Sequence, residues 1–199
     1  MTKTYKPHDR YFEQAKAEGY RARSVYKLQE IQKKFHLVKA GDCVLDLGAA
    51  PGSFMQYLLK LVGPKGAVIG LDLQEIAPFR EKNARTFVCD IFNEKQLSRA
   101  LERLSASVFD VVTSDLAPAT SGIWSLDAGR SFQLSEQALK IAEIYLKKGG
   151  HAFLKFFPGK EQATLLQKAR LLFGKVAIAQ PNAVRSSSRE QYLVLRCKQ

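Results

Sequence analysis

The sequence predicts an α/β protein with one mostly parallel sheet and helices on both faces. Three observations carry this. Short apolar runs of strand length recur along the chain, stretches of helical periodicity alternate with them, and the last two runs are joined without a helix. At 199 residues, 46% of them hydrophobic, the chain is long enough for a substantial core and is read as one domain over residues 1–199. A basic N-terminal arm and helix take residues 1–40, and an α/β core takes residues 41–199.

Each element has its own signal. Val25, Leu28, Ile31 and Phe35 recur at helical spacing within Ser24 to Phe35. Cys43-Val44-Leu45-Asp46-Leu47 is a short apolar run, followed by a turn of small residues and a helical segment over 53–62. Further strands are expected at 67–72, 86–89, 109–114 and 151–157, with helices at 94–104, 130–147 and 161–173. The tail offers strands at 175–179 and 191–196, joined by Gln180 to Arg189 with no helical pattern. These two are expected to pair as an antiparallel hairpin at one edge of the sheet.

Several function classes recede at once. No apolar run approaches the ~18 residues of a membrane helix, and no apolar segment follows the N-terminal charges, so neither a membrane partner nor a secretory signal is expected. Cys43, Cys89 and Cys197 lack CxxC spacing, which suits reduced thiols in a cytoplasmic protein. His8, His36 and His151 form no metal-ligand spacing, and no metal is expected.

The richest stretch joins strand, turn and helix: Asp46-Leu47-Gly48-Ala49-Ala50-Pro51-Gly52-Ser53-Phe54. Gly48 and Gly52 can take positive φ and leave room for a ligand against the backbone. A second apolar run, Ala67 to Leu71, ends in Asp72, placed to accept hydrogen bonds from a ribose hydroxyl pair. This combination describes a nucleoside-cofactor pocket. A pyrophosphate turn carries G-x-G-x-x-G, whereas here Ala49-Ala50-Pro51 separates two glycines and an acid, Asp46, precedes them. A carboxylate there suits a cationic ligand, and S-adenosylmethionine has a sulfonium, an ammonium and no phosphate.

The net charge of +12 is unevenly spread. Residues 1–40 carry ten Lys/Arg against four acids and residues 155–199 nine against two, while the middle is nearly neutral. Two basic ends flanking a neutral core form the pattern of a polyanion-binding surface, with RNA as the expected partner. Tyr5, Tyr11, Phe12, Tyr20 and Tyr26 interleave with these charges, where exposed rings could stack on unpaired bases.

In parallel α/β sheets ligands sit beyond the carboxyl ends of the strands. That rule selects Gly48 to Phe54, Asp72, Asp90, Asp115 and Lys155. Asp90 is placed to accept from an adenine amino group. Lys155 is unusual because a buried ammonium is costly inside an apolar strand.

Five segments together resemble the FtsJ (RrmJ) family of RNA 2′-O-ribose methyltransferases. They are Arg21-Ala22-Arg23-Ser24-Val25-Tyr26-Lys27-Leu28, Asp46 to Gly52, Thr113-Ser114-Asp115-Leu116-Ala117-Pro118, Phe153-Leu154-Lys155 and Ser186-Ser187-Ser188-Arg189-Glu190. The resemblance implies a Rossmann-like class I S-adenosylmethionine-dependent methyltransferase domain with a seven-stranded sheet. It implies a catalytic tetrad of Lys27, Asp115, Lys155 and Glu190. Cofactor contacts are expected from Asp46, Gly48, Ala49, Pro51, Gly52, Phe54, Asp72, Asp90 and Asp115. The implied substrate is a uridine of 23S rRNA in the large ribosomal subunit, acted on by a monomer. Two departures stand out: Gly52-Ser53-Phe54 replaces the family's common Gly-Gly-Trp, and Pro158-Gly159-Lys160 replaces its Gln-Gly-Glu.

The chemistry fits the tetrad. A 2′-hydroxyl is weakly nucleophilic until a base begins to take its proton, and Lys155 is the candidate base. Burial and the cation of Lys27 would lower its pKa, while Asp115 and Glu190 would raise it. Asp115 would position Lys155 and the cofactor's methionine end, and Lys27 and Glu190 would hold the ribose. Other readings are methyl transfer to tRNA or another RNA, a catalytically silent RNA-binding module, and a dinucleotide-dependent oxidoreductase, the last disfavoured by the missing G-x-G-x-x-G.

Overall fold

The computed structural model describes residues 10–102 and 109–199. Tyr5, His8 and the end of the helix expected over 94–104 lie outside them. The order is α1 (Arg10–Ala17), α2 (Val25–Phe35), β1 (Cys43–Leu47), α3 (Ser53–Val62), β2 (Ala67–Asp72), β3 (Ala84–Val88), α4 (Glu94–Glu102), β4 (Phe109–Ser114), α5 (Trp124–Tyr145), β5 (Leu146–Phe156), α6 (Gln162–Leu172), β6 (Phe173–Ala179) and β7 (Gln191–Lys198). Seven strands form one sheet in the order β3-β2-β1-β4-β5-β7-β6. The pairs from β3 to β5 are parallel, and β7 runs antiparallel to both neighbours. The expected C-terminal antiparallel pair is present, with β7 inserted between β5 and β6 rather than added outside them.

Successive residues of a strand face opposite sides of the sheet, and that alternation sorts both core and site. Leu45, Leu47, Val112, Leu154 and Leu193 pack on one side with the inner faces of α4, α5 and α6. Val44, Val111, Phe153, Tyr192 and Val194 pack on the other with α2 and α3. Asp46, Thr113 and Lys155 share the parity of this second set, so their side chains project toward α2 and α3. The chain order turns back at β1, which pairs in parallel with both β2 and β4. Such a switch point opens a crevice at the strands' carboxyl ends.

Two elements differ from expectation. Helix α5 begins at Trp124 rather than at 130, because Asp127 fastens its first turn. The Asp127 carboxylate accepts the backbone N–H and hydroxyl of Ser121 at 2.8 Å and the Gly122 N–H at 3.3 Å. These bonds hold the Asp127 pKa below its ordinary value. Within the basic arm, α1 forms and buries Ala15. Tyr11 and Tyr20 pack around the buried Tyr26, with ring centroids 5.4 and 6.3 Å from it. Those rings join α1 to α2 instead of offering free stacking faces; Phe12 remains 54% exposed.

Candidate active site

Four charged side chains from distant parts of the chain meet beyond the carboxyl ends of β4 and β5. Lys27 comes from α2, Asp115 follows β4, Lys155 lies near the end of β5 and Glu190 precedes β7. Lys155 Nζ is 3.3 Å from both Asp115 Oδ1 and Glu190 Oε2. Lys27 Nζ is 2.5 Å from Glu190 Oε1 and 3.9 Å from Asp115 Oδ1. Each lysine therefore bridges the same two carboxylates.

Burial makes these contacts strong. Lys155 is only 7% exposed and Glu190 6%. Burial alone would push the Lys155 ammonium down, but Asp115 and Glu190 outweigh it and the net shift is upward. Burial would likewise raise Asp115, yet Lys155, Lys27 and a hydrogen bond from Tyr192 hold it below the ordinary carboxylate range. Without bound substrate, then, Lys155 is an ammonium and Asp115 a carboxylate.

Neighbouring polar groups fix the cluster. The Tyr192 hydroxyl donates to Asp115 Oδ1 at 2.7 Å, while its ring stacks on Phe153 at 4.4 Å. Tyr192 pairs with Lys155 across the β5–β7 ladder. Two buried serines one turn apart on α5 hold the end of β5. Ser135 donates to the Lys155 carbonyl at 2.8 Å, and Ser131 accepts the Phe157 N–H at 2.9 Å. Sequence reasoning missed these three residues; a hydroxyl-bearing aromatic two positions after Glu190, inside an apolar run, was the available signal for Tyr192.

A cleft of about 210 Å³ opens beside the cluster, lined by Arg23, Ser24, Lys27, Arg185, Ser188 and Glu190. It joins the two basic ends of the chain. Glu30 accepts the backbone N–H groups of Asn182 and Ala183 at 2.8 Å, and Arg23 donates to the Ala183 carbonyl. Arg21 turns inward instead. It donates to the carbonyls of Pro51, Ala77 and Pro78 and lies 4.0 Å above the Phe79 ring.

The residues expected at a cofactor sit at or beyond the carboxyl ends of β1 to β4. The Gly48 and Ala49 N–H groups donate to the Leu71 carbonyl, which joins the loop to β2. Asp72 accepts from the Ala50 N–H and the Gln74 N–H, both at 2.9 Å. A carboxylate offers about four acceptor sites, so Asp72 keeps capacity for further donors. Asp90 follows β3, and its carboxylate accepts the Phe92 N–H. Asp46 is 1% exposed and accepts only the Thr113 hydroxyl, at 2.7 Å. Burial, set against that hydrogen bond and reinforced by Asp115 and Asp72, pushes its pKa up to about 8. Among the described residues Asp46 Oδ2 and Ser114 Oγ are buried without a hydrogen-bond partner.

Two expectations about the loop change. Gly52 has φ +106°, and a Cβ there would meet Arg21 at 2.7 Å and Phe79 at 2.8 Å. Its missing side chain therefore admits the protein's own Arg21 clamp. Phe54 is 3% exposed and its ring packs against Phe153, so its side chain belongs to the core. Among the described residues no group of three His, Cys, Asp or Glu is placed to hold a metal ion, and no helix is long and apolar enough to cross a membrane.

The sequence is shared along nearly its whole length by proteins of known name. A "Ribosomal RNA large subunit methyltransferase E" of Myxococcus xanthus is 44% identical over 194 residues, covering 98% of this chain and 91% of the relative. The protein of the same name from Syntrophobacter fumaroxidans is 44% identical, with 96% of each chain covered. The crystal structure of a protein described as a ribosomal RNA methyltransferase from Plasmodium falciparum superposes with a TM-score of 0.77 at 26% identity, covering 90% of this chain and 98% of that one. Fibrillarin from Aeropyrum pernix, solved with natively bound S-adenosyl-L-methionine, shares the fold at a TM-score of 0.62, with 16% identity and coverage of 87% of this chain and 76% of its own. The sequence model of the FtsJ-like methyltransferases matches residues 20–198, and the chain belongs to that family.

Proposed function

We propose that this enzyme transfers the methyl group of S-adenosylmethionine to a ribose 2′-hydroxyl of large-subunit ribosomal RNA, at a uridine of the 23S species. The observation that carries the reading is the shared lysine–carboxylate cluster of Lys27, Asp115, Lys155 and Glu190 at the carboxyl edge of the sheet. Its relatives' names supply the ribosomal substrate.

The crevice fits the cofactor. Unpartnered oxygens on Asp46 and Ser114 suit an ammonium group, Asp72 has capacity for ribose hydroxyls, and Asp90 suits an adenine amino group. Leu73, 71% exposed beside Asp72, offers an apolar surface to a base. The Gly48-Ala49-Ala50-Pro51-Gly52 turn and the first N–H groups of α3, Phe54 included, supply backbone contacts. When bound, the cofactor supplies a methyl group already activated by its sulfonium.

The chain's part is alignment and proton management. Lys27 and Glu190 line the cleft and hold the ribose. Lys155, in its amine form, would take the 2′-hydroxyl proton on Nζ and free the oxygen to receive the methyl group that the cofactor would supply, the carbon–sulfur bond breaking and the sulfonium leaving as a neutral thioether. With both lysines protonated the four-residue cluster is formally neutral. Losing one proton leaves it at −1, a charge matched by a cationic ligand beside Asp115. One chain supplies all four residues, which favours a monomer, and a ribosomal substrate favours the cytoplasm.

Purified protein, methyl-labelled S-adenosylmethionine and hypomethylated large subunits, free 23S rRNA or bulk tRNA form the test. Label mapped to a ribose in large-subunit RNA is expected. Label in tRNA alone would overturn the substrate, and no label would remove the reaction. Lys155→Ala is expected to abolish transfer while calorimetry still detects cofactor binding; full activity would dismiss Lys155 as the base.

A further inference from the structure

Beside the cluster lies an aromatic and cationic assembly that the chemistry above does not use. Trp124 opens α5, Phe157 follows Lys155 by two residues, and Arg189 immediately precedes Glu190. The Phe157 and Trp124 rings stack with centroids 5.6 Å apart and planes within 20°. The Arg189 guanidinium carbon lies 5.0 Å from the Trp124 ring centroid.

We infer that Trp124 is the stacking platform for the base of the nucleotide whose ribose is methylated, with Arg189 covering the indole until RNA arrives. This rests on the reading of the neighbouring cluster as a ribose-methylating site. The base is attached at C1′, next to the reacting C2′, so a base must lie close to the cluster whenever a 2′-hydroxyl enters it. A guanidinium plane and a nucleobase seek the same aromatic surface. Trp124 is half-buried and Arg189 is exposed, so the arginine can leave the ring for a phosphate without uncovering the core. Ile123 and Leu126, 61% and 43% exposed, extend the apolar border.

The platform is rigid, as a positioning surface needs to be. Behind it, Asp127 binds the Ser121 and Gly122 N–H groups, and Arg130 donates to the Ala119 carbonyl at 3.3 Å. The segment from Asp115 to Trp124 is thereby fastened to α5. Phe157 is fixed by the same Ser131 that closes the end of β5. The cluster and the platform consequently share their supports.

Trp124 is the sole tryptophan of the chain, so fluorescence excited at the red edge, where tyrosine does not absorb, reports on this ring alone. The intact protein is titrated with a short single-stranded oligouridylate and, separately, with an abasic oligomer of the same phosphate count. Saturable quenching by the first and little change with the second are expected. Equal responses to both would overturn the proposal. Trp124→Ala is expected to weaken oligouridylate binding about tenfold to a hundredfold, Trp124→Phe to restore most of it, and cofactor affinity to stay unchanged. Unaltered RNA affinity in Trp124→Ala would also overturn it. Base-dependent quenching in a protein that methylates no ribosomal RNA would sustain the platform and refute the methylation reading, which keeps the two failures apart.

Discussion

Asp46 is buried in β1 and Asp115 lies half-buried just beyond the end of its parallel neighbour β4, and burial moves their pKa values in the same direction. Their final values are nevertheless opposite. Asp46, with one hydroxyl partner, is pushed up to about 8. Asp115, with two lysines and a tyrosine, falls below the ordinary range. Position in the fold thus sets the cost of a charge, and partners decide whether that cost is met. The difference divides the crevice in two. One half is a saturated network that holds its lysine as an ammonium, and the other is an under-partnered site that a cationic ligand would complete.

The comparison breaks most severely at Asp115. Asp115→Asn leaves two buried lysines sharing one carboxylate, and the expected loss in denaturant unfolding is about 3–5 kcal/mol. In the wild type this stabilisation is present above the unfolded carboxylate value of about 3.9 and disappears as pH falls through the lower folded value. An Asn variant as stable as the wild type at neutral pH would show that the network adds nothing to folding.

Asp46 gives the opposite sign. Its folded pKa exceeds its unfolded one, so between about pH 4 and pH 8 the folded state holds a proton that the unfolded state has released. Stability of the ligand-free protein should fall across that interval and level off above it. Asp46→Asn should flatten the slope, so that its advantage over the wild type grows from pH 4 to pH 8. Parallel stability curves for the two proteins would disprove the assignment.

The smallest effect is expected at Tyr192→Phe, which keeps the ring stack on Phe153 and removes only the hydroxyl bond to Asp115. A loss of about 1.5 kcal/mol together with reduced methyl transfer would separate the hydroxyl from the ring. Unchanged stability and rate would confine Tyr192 to packing.

Much of this was legible in the chain. The alternation of strands and helices carried the fold, and β1, α3, β2 and β4 lie where the apolar periods end. Site residues at strand ends were legible because a parallel sheet directs ligands there. Less legible was whatever depends on two distant segments meeting. Arg21 counted in sequence only as one of the arm's basic residues, yet its guanidinium is committed to three carbonyls brought from two loops. Tyr11, Tyr20 and Tyr26 read as rings that could stack on bases, yet they pack on one another. Helix α5 was read short because Gly129 and the polar residues around it mask the period that Asp127 stabilises. The net direction of the Lys155 shift required the four distances among the cluster atoms, which no spacing in sequence encodes.

Strand β7 enters the sheet between β5 and β6, and it carries Tyr192 with Glu190 just ahead of it. Lys27 lies near the opposite end of the 199-residue chain. Contacts between such distant segments carry a large loop-closure cost, which the rest of the fold must first reduce. A partially folded chain can hold β1 to β5 in order and still lack two of the groups that surround Lys155. Chemical competence therefore requires the gap in the sheet to be closed by β7.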